Sequence, residues 1–172
     1  RDFDLTLFSK EESYTHTAKI GEEYVDLKLD FATRRNAVKE GLEKAQVVVL
    51  AGHTNGSRGV PFWHLLSDEQ LKISDEGLRD IKPYPGLQVI VVNSCRSYRY
   101  YFDSLKKFRG NFPTIFIMSN EKTNKPVLDI VINRILIEGK PDLAVQEMNI
   151  RNPEAKYRLE LSNFKLPEDK PI

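Results

Sequence analysis

Cysteine is nearly absent from this sequence: Cys95 is the single one in 172 residues. One cysteine excludes an internal disulfide framework, and it leaves no cysteine cluster that could hold a structural zinc ion. Secreted domains with small cores commonly depend on such cross-links. The sequence therefore predicts a cytoplasmic protein, kept in a reducing compartment and without a structural metal.

Long hydrophobic runs and an excess of charge of one sign are also missing. No apolar stretch approaches the roughly 20 residues that span a bilayer, and the N-terminal RDFDLTLFS lacks the basic-then-apolar order of a signal peptide. The 26 Lys and Arg residues nearly balance the 25 Asp and Glu residues, which gives a net charge of +1. Such a balance creates no general attraction to phosphate backbones or anionic lipids. We expect neither nucleic acid nor a membrane as a partner.

The composition that remains is that of a globular domain. Hydrophobic residues make up 40% of the chain and charged residues 30%, and the length suffices to bury a continuous core. We predict one domain over residues 1–172. The chain begins with Arg1, so an origin as a fragment of a longer protein is an interpretation that stays open.

Strand patterns and helix patterns alternate along the chain. Strands are predicted over the segments DFDLTLF, EYVDLKLDF, QVVVLA, LQVIVVN, TIFIM and AKYRLELS. Helices are predicted after Thr33, between Ser74 and Pro83, over SYRYYFDSLKKF, over PVLDIVINRILIE with Pro126 first and Gly139 just past the end, and over PDLAVQEMNI. Because parallel strands require crossover connections, the alternation predicts an α/β fold with a mostly parallel central sheet and helices on both faces.

His53 and Cys95 each follow a predicted buried strand by about two residues. In open α/β sheets, ligands and chemistry lie beyond the carboxyl ends of the strands. A thiol and an imidazole at neighbouring strand ends can form a nucleophilic pair, in which the thiolate attacks a carbonyl and the histidine transfers the proton. The polar RSYR after the cysteine favours a sulfur at the boundary with solvent, although a free cysteine is also a common core residue.

Three stretches carry a resemblance to a known family. VVVLAGHTNG, LKISDEGLRDI and LQVIVVNSCRS together resemble the caspase-like cysteine peptidases, which include the metacaspases, and are most similar to bacterial CHAT domains. In that superfamily one strand ends in a Gly-His-Gly-like turn, a short helix-bearing acidic connection follows, and the next strand ends in Ala-Cys or Ser-Cys. Cys95 follows His53 by 42 residues, near the roughly 50 of the caspases. The resemblance covers residues 36–120.

The resemblance implies a three-layer caspase-like fold and a cysteine endopeptidase that cleaves a protein or peptide substrate without a cofactor. Cys95 would be the nucleophile and His53 the acid/base residue. The oxyanion hole would be built from backbone N–H groups near Thr54, Gly56 and Cys95. Control by a regulatory partner protein is a further expectation of this kind.

Two positions depart from the family pattern. Thr54 stands directly after the histidine, where the family usually has glycine, and glycine follows only at Gly56. Metacaspases carry an aspartate two residues before the cysteine that helps to hold a basic substrate side chain, whereas this chain has Asn93. Their Arg/Lys preference is therefore not transferred. Asn93 and Arg96 are the candidate substrate-pocket residues.

Other interpretations stay open. Thr54 favours a catalytically inactive caspase-like domain that serves as a protein-interaction or signalling module. A third hypothesis is a flavodoxin-like domain that binds a small ligand, although GHTNGSRG lacks the lysine and spacing of a phosphate-binding loop. We expect His64 to be a packing residue and the acids of SDEQLKISDEG to lie on a solvated helix face.

Overall fold

The computed structural model describes residues 12–20, 22–31, 35–54, 60–61, 70–71 and 73–164. The strands are β1 (Glu12–Ile20), β2 (Glu23–Phe31), β3 (Val47–Ala51), β4 (Val60–Pro61), β5 (Gln70–Leu71), β6 (Gln88–Asn93), β7 (Thr114–Ser119) and β8 (Tyr157–Ser162). The helices are α1 (Arg35–Lys44), α2 (Asp75–Leu78), α3 (Ser97–Arg109), α4 (Leu128–Ile130), which continues as a π-helical segment (Val131–Ile137), and α5 (Pro141–Arg151). Among these described helices, none has the length and apolar character required to cross a membrane.

The main sheet has four strands in the order β3-β6-β7-β8. β3 and β6 pair in parallel, as do β6 and β7, whereas β8 runs antiparallel to β7. Every residue of β7 is buried, and so is every residue of β6 except the last one, because helices cover both faces of a parallel sheet. The predicted mixed α/β fold with a mostly parallel sheet is confirmed.

Two hydrophobic clusters occupy opposite sides of this sheet, because alternate residues of a strand point to opposite faces. The first contains Ile90 and Val92 of β6 with side chains from α1, α2 and α3, among them Val38, Leu42, Leu78, Tyr101 and Leu105. The second contains Val89 and Val91 of β6 with side chains from α4, the π-helical segment and α5, among them Ile130, Val131, Ile135, Ala144 and Met148. Each face of the sheet therefore has its own core.

A separate two-stranded sheet precedes the main one. β1 and β2 pair antiparallel from Glu12 opposite Phe31 to Ile20 opposite Glu23. The predicted strand EYVDLKLDF is confirmed as β2, whereas its partner ESYTHTAKI was not predicted. The predicted strand DFDLTLF and the cap at Thr33 lie outside the described residues.

Two of three predicted helix boundaries agree with the structure. Ser74 caps α2, because its side-chain oxygen accepts the backbone N–H of Gly77 at 3.2 Å. Gly139 follows the π-helical segment with φ of +65°, as predicted for a residue just past a helix end. The placement of Pro126 at the first helical position was wrong, because Val127 is non-helical (φ −129°, ψ 4°) and the helix begins at Leu128. Val127 is buried in the second hydrophobic cluster instead.

Candidate functional site

The two predicted catalytic residues follow the carboxyl ends of two neighbouring parallel strands. Ala51 of β3 is paired with Asn93 of β6, and the backbone N–H of Gly52 donates to the Asn93 carbonyl at 3.3 Å. His53 and Cys95 each lie two residues past this pair. The residue His53 is exposed, whereas Cys95 is half-buried.

Thr54 connects the two loops directly. Its side-chain hydroxyl donates a hydrogen bond to the backbone carbonyl of Cys95. This contact joins the chain after β3 to the turn after β6. It gives Thr54 a structural role at the peptide group of the cysteine.

The turn that carries Cys95 is held by backbone and side-chain bonds. Arg96 has a left-handed backbone conformation (φ 54°, ψ 33°) and precedes the first residue of α3, and its N–H donates to the Glu121 carbonyl at 2.9 Å. The Ser97 hydroxyl donates to the Val92 carbonyl at 2.9 Å. A non-glycine residue in this region is uncommon and persists where its surroundings hold it. Cys95 therefore lies in a defined position at the N-terminal end of a 13-residue helix.

The polar neighbour of the sulfur is the main chain of Thr123. The Thr123 N–H donates to Cys95 Sγ at 3.4 Å, and the thiol lies 3.7 Å from the Thr123 carbonyl as a donor. An N–H group is a suitable hydrogen-bond donor to a thiolate sulfur. A thiol bond to the carbonyl requires the protonated form instead. The Thr123 main chain therefore offers the sulfur one donor and one acceptor.

The Asn93 side chain takes part in a partly buried polar network. Its Nδ2 donates to the Lys125 carbonyl at 3.3 Å, and its Oδ1 accepts the Tyr157 hydroxyl. Burial is the main cause that raises the pKa of Tyr157 well above its ordinary value, and the nearby Cys95 raises it further. The phenol therefore stays protonated and remains a donor to Asn93.

A shallow, open pocket of about 350 Å³ adjoins the cysteine turn. The residues that line it are all charged: Arg96, Glu121, Lys122, Glu154 and Lys156. Arg96 Nε lies 3.6 Å from a Glu121 carboxylate oxygen, with both side chains roughly half exposed. Lys156, like Arg96, has a positive φ. The pocket is built from the chain that follows β6 and β7 and the chain that precedes the antiparallel β8.

The predicted substrate-pocket residues have different surroundings. Arg96 lines the charged pocket, whereas the Asn93 amide is engaged with Tyr157 and Lys125. Gly56 and His64 lie outside the described residues. Sequence reasoning missed two residues at the site, Thr123 and Tyr157, and no motif in the sequence marks either one.

The described ranges contain no group of three or more His, Cys, Asp or Glu residues that could hold a metal ion. Comparison with known proteins adds no relative to this geometry: no family model, no curated protein and no solved structure matches the chain.

Proposed function

We propose that this protein is a cysteine endopeptidase that cleaves a protein or peptide substrate through Cys95 and His53. The observation that carries the proposal is the pairing of Ala51 with Asn93. The loops that contain His53 and Cys95 therefore begin at adjacent positions on two parallel strands. The Thr54 hydroxyl bond to the Cys95 carbonyl supports the same proximity. Ligands and chemistry lie at this edge of open α/β sheets.

The proposed reaction is acyl transfer to sulfur. The Cys95 thiolate attacks the substrate carbonyl carbon and forms a C–S bond, and the C–N bond breaks as the His53 imidazolium protonates the leaving amine. Water then attacks the thioester carbonyl carbon, His53 accepts one proton from that water, and the C–S bond breaks, which releases the carboxylic acid and restores the Cys95 thiolate and the His53 imidazolium. Backbone N–H groups near Thr54, Gly56 and Cys95 stabilise the oxyanion. No cofactor takes part.

The proposal includes a three-layer caspase-like fold, most similar to a CHAT domain. Two hydrophobic clusters with helices on opposite sides of the sheet support it. It also includes a cytoplasmic location, consistent with the single cysteine, and control by a regulatory partner protein.

A second candidate function is a catalytically inactive domain of the same fold that serves as a protein-interaction module. The contacts of Cys95 favour it: its sulfur lies against the Thr123 main chain, and its carbonyl is bound by Thr54. In an active enzyme, a substrate carbonyl must reach the same sulfur.

The first experiment is the rate of Cys95 alkylation by iodoacetamide as a function of pH, followed by intact mass, in the wild type and in His53→Ala. The chain has one thiol, so each added mass reports this residue alone. Fast alkylation near neutral pH that slows in His53→Ala supports a coupled pair. Alkylation that is absent, or equal in the two proteins, removes the peptidase proposal and favours the interaction module.

The second experiment is cleavage of a mixed peptide library, read by mass spectrometry, in the wild type and in Cys95→Ala. We expect cleavage to disappear while the thermal unfolding midpoint stays close to that of the wild type. Ser94→Ala is the matched control, because the buried Ser94 hydroxyl has no hydrogen-bond partner within the described part of the chain. Retained cleavage in Cys95→Ala removes the nucleophile assignment.

A further inference from the structure

The chain that follows β7 contacts the Cys95 sulfur through the Thr123 main chain, and we call residues 121–125 the Thr123 segment. Its first residue is anchored on two sides. The Glu121 N–H donates to the Ala155 carbonyl at 3.0 Å, and the Glu121 carbonyl accepts the Arg96 N–H at 2.9 Å. The segment therefore starts from a position tied both to the turn before β8 and to the residue after Cys95.

The last residue of the segment is anchored by two side-chain amides. The Lys125 carbonyl accepts Nδ2 of Asn93 and Nδ2 of Asn152, each at 3.3 Å. Asn152 is buried, and the Tyr157 hydroxyl donates to Asn93 Oδ1. Because a tyrosine donor occupies the oxygen of Asn93, the amide is oriented with its nitrogen towards Lys125.

The chain just beyond the segment is held as well. The Pro126 carbonyl accepts Nη1 of Arg151 at 3.1 Å, and the same guanidinium is paired with the Asp129 carboxylate. Fixed hydrogen bonds therefore lie before and after Thr123. This residue lies midway between Glu121 and Lys125, and its N–H donates to Cys95 Sγ at 3.4 Å.

We infer that Asn93 and Tyr157 are positioning residues for the nucleophile, because through Lys125 they hold the Thr123 N–H against Sγ, where it stabilises the negative charge of the attacking sulfur. This inference rests on the proposed function, since it assigns a role in that reaction. A hydrogen bond to an ionised acceptor is stronger than one to a neutral acceptor. Loss of the hydrogen bonds that Asn93 and Tyr157 supply therefore destabilises the thiolate more than the neutral thiol.

The test is the pH profile of Cys95 alkylation by iodoacetamide in the full chain, with Asn93→Ala and Tyr157→Phe as variants. We expect alkylation of Asn93→Ala at pH 7 to be about tenfold slower than in the wild type, with the rate recovering at higher pH. Tyr157→Phe keeps the buried ring and removes only the hydroxyl. It should shift the profile in the same direction by a smaller amount, about threefold at pH 7.

The matched control is Asn149→Ala. Asn149 forms two hydrogen bonds with the backbone of Tyr157. The Tyr157 N–H donates to Asn149 Oδ1 at 2.6 Å, and Asn149 Nδ2 donates to the Tyr157 carbonyl at 3.0 Å. It is the same residue type beside the same tyrosine, but neither of these bonds involves the Thr123 segment. We expect its alkylation profile to follow the wild type even where its unfolding midpoint is lower.

Two results overturn the inference. One is a profile of Tyr157→Phe, in a folded protein, that coincides with the wild type. The other is faster alkylation of both variants at every pH without displacement of the profile along the pH axis. That result would mean that the Thr123 segment shields the thiol from the reagent and does not stabilise the thiolate. A circular dichroism melt of each variant establishes that the compared proteins are folded.

The His53→Ala profile separates this inference from the proposed function. A profile that changes in Asn93→Ala and not in His53→Ala supports the hold of the Thr123 N–H on the sulfur, but it removes the His53–Cys95 pair and with it a role of that contact in the proposed reaction. The reverse pattern keeps the pair and removes the positioning role.

Discussion

The hydroxyl of Thr54 donates a hydrogen bond to the backbone carbonyl of Cys95, which lies 41 residues further along the chain. The bond joins the loop after β3 to the turn after β6. It binds the Cys95 peptide group through a side-chain hydroxyl that a glycine at this position would not have. Thr54 therefore makes a specific contact at the candidate site.

Thr54→Val should destabilise the protein by about 1 kcal/mol, because it removes one partly buried hydrogen bond and keeps the branched side-chain shape. The measurement is urea unfolding followed by circular dichroism. Thr54→Ser keeps the hydroxyl and is the control, expected to lose less stability. Equal stability of Thr54→Val and the wild type would show that the bond contributes nothing to the fold.

Arg109→Met should destabilise the protein by about 3 kcal/mol, because charged donors are lost from a buried site. Arg109 has no exposed surface, and its guanidinium donates to the carbonyls of Tyr84 at 2.6 Å and Gly86 at 2.7 Å and to the Thr114 hydroxyl at 2.8 Å. Methionine fills similar space but leaves these acceptors without donors.

Urea unfolding measures this loss, with Arg99→Met as the matched control on the exposed side of the same helix. We expect the control to stay within about 0.5 kcal/mol of the wild type. A loss in Arg109→Met no larger than in Arg99→Met would mean that the buried guanidinium does not hold the chain before β6 in place.

The pair of Asp129 and Arg151 should make stability depend on acidic pH. The side-chain hydrogen bond from Arg151 is the largest cause that lowers the pKa of Asp129 below its ordinary value of 3.8. Because the pKa is lower in the folded state than in the unfolded state, the ionised carboxylate favours folding. This contribution is complete above the ordinary value and is lost as the pH falls through the folded-state value.

Asp129→Asn should therefore be less stable than the wild type by about 1 kcal/mol at pH 7, a value that allows for solvent screening of a pair about one third exposed. The difference should shrink as the pH falls below about 4. Urea unfolding at several pH values measures it, with Asp103→Asn on the exposed part of α3 as the control. A difference that stays constant down to pH 2.5 contradicts the assignment.

Three strands of the main sheet could be predicted because each is a local pattern. QVVVLA, LQVIVVN and TIFIM are apolar runs bounded by polar or turn residues, and they form β3, β6 and β7. The helix between β6 and β7 follows from its own amphipathic spacing. By contrast, β1 has the polar sequence ESYTHTAKI, and its strand conformation depends on pairing with β2. Cross-strand pairing is a property of two segments, so one segment's composition does not reveal it.

The sequence by itself determined that His53 and Cys95 each follow an apolar strand, because apolar periodicity and turn residues act over a few residues. Only the tertiary structure decided which groups meet there. The antiparallel β8 brings Tyr157 to Asn93 across 64 residues, and the chain after β7 brings the Thr123 N–H to Cys95 Sγ across 28. Such contacts depend on strand order, strand direction and the packing of two cores, and no local pattern encodes those.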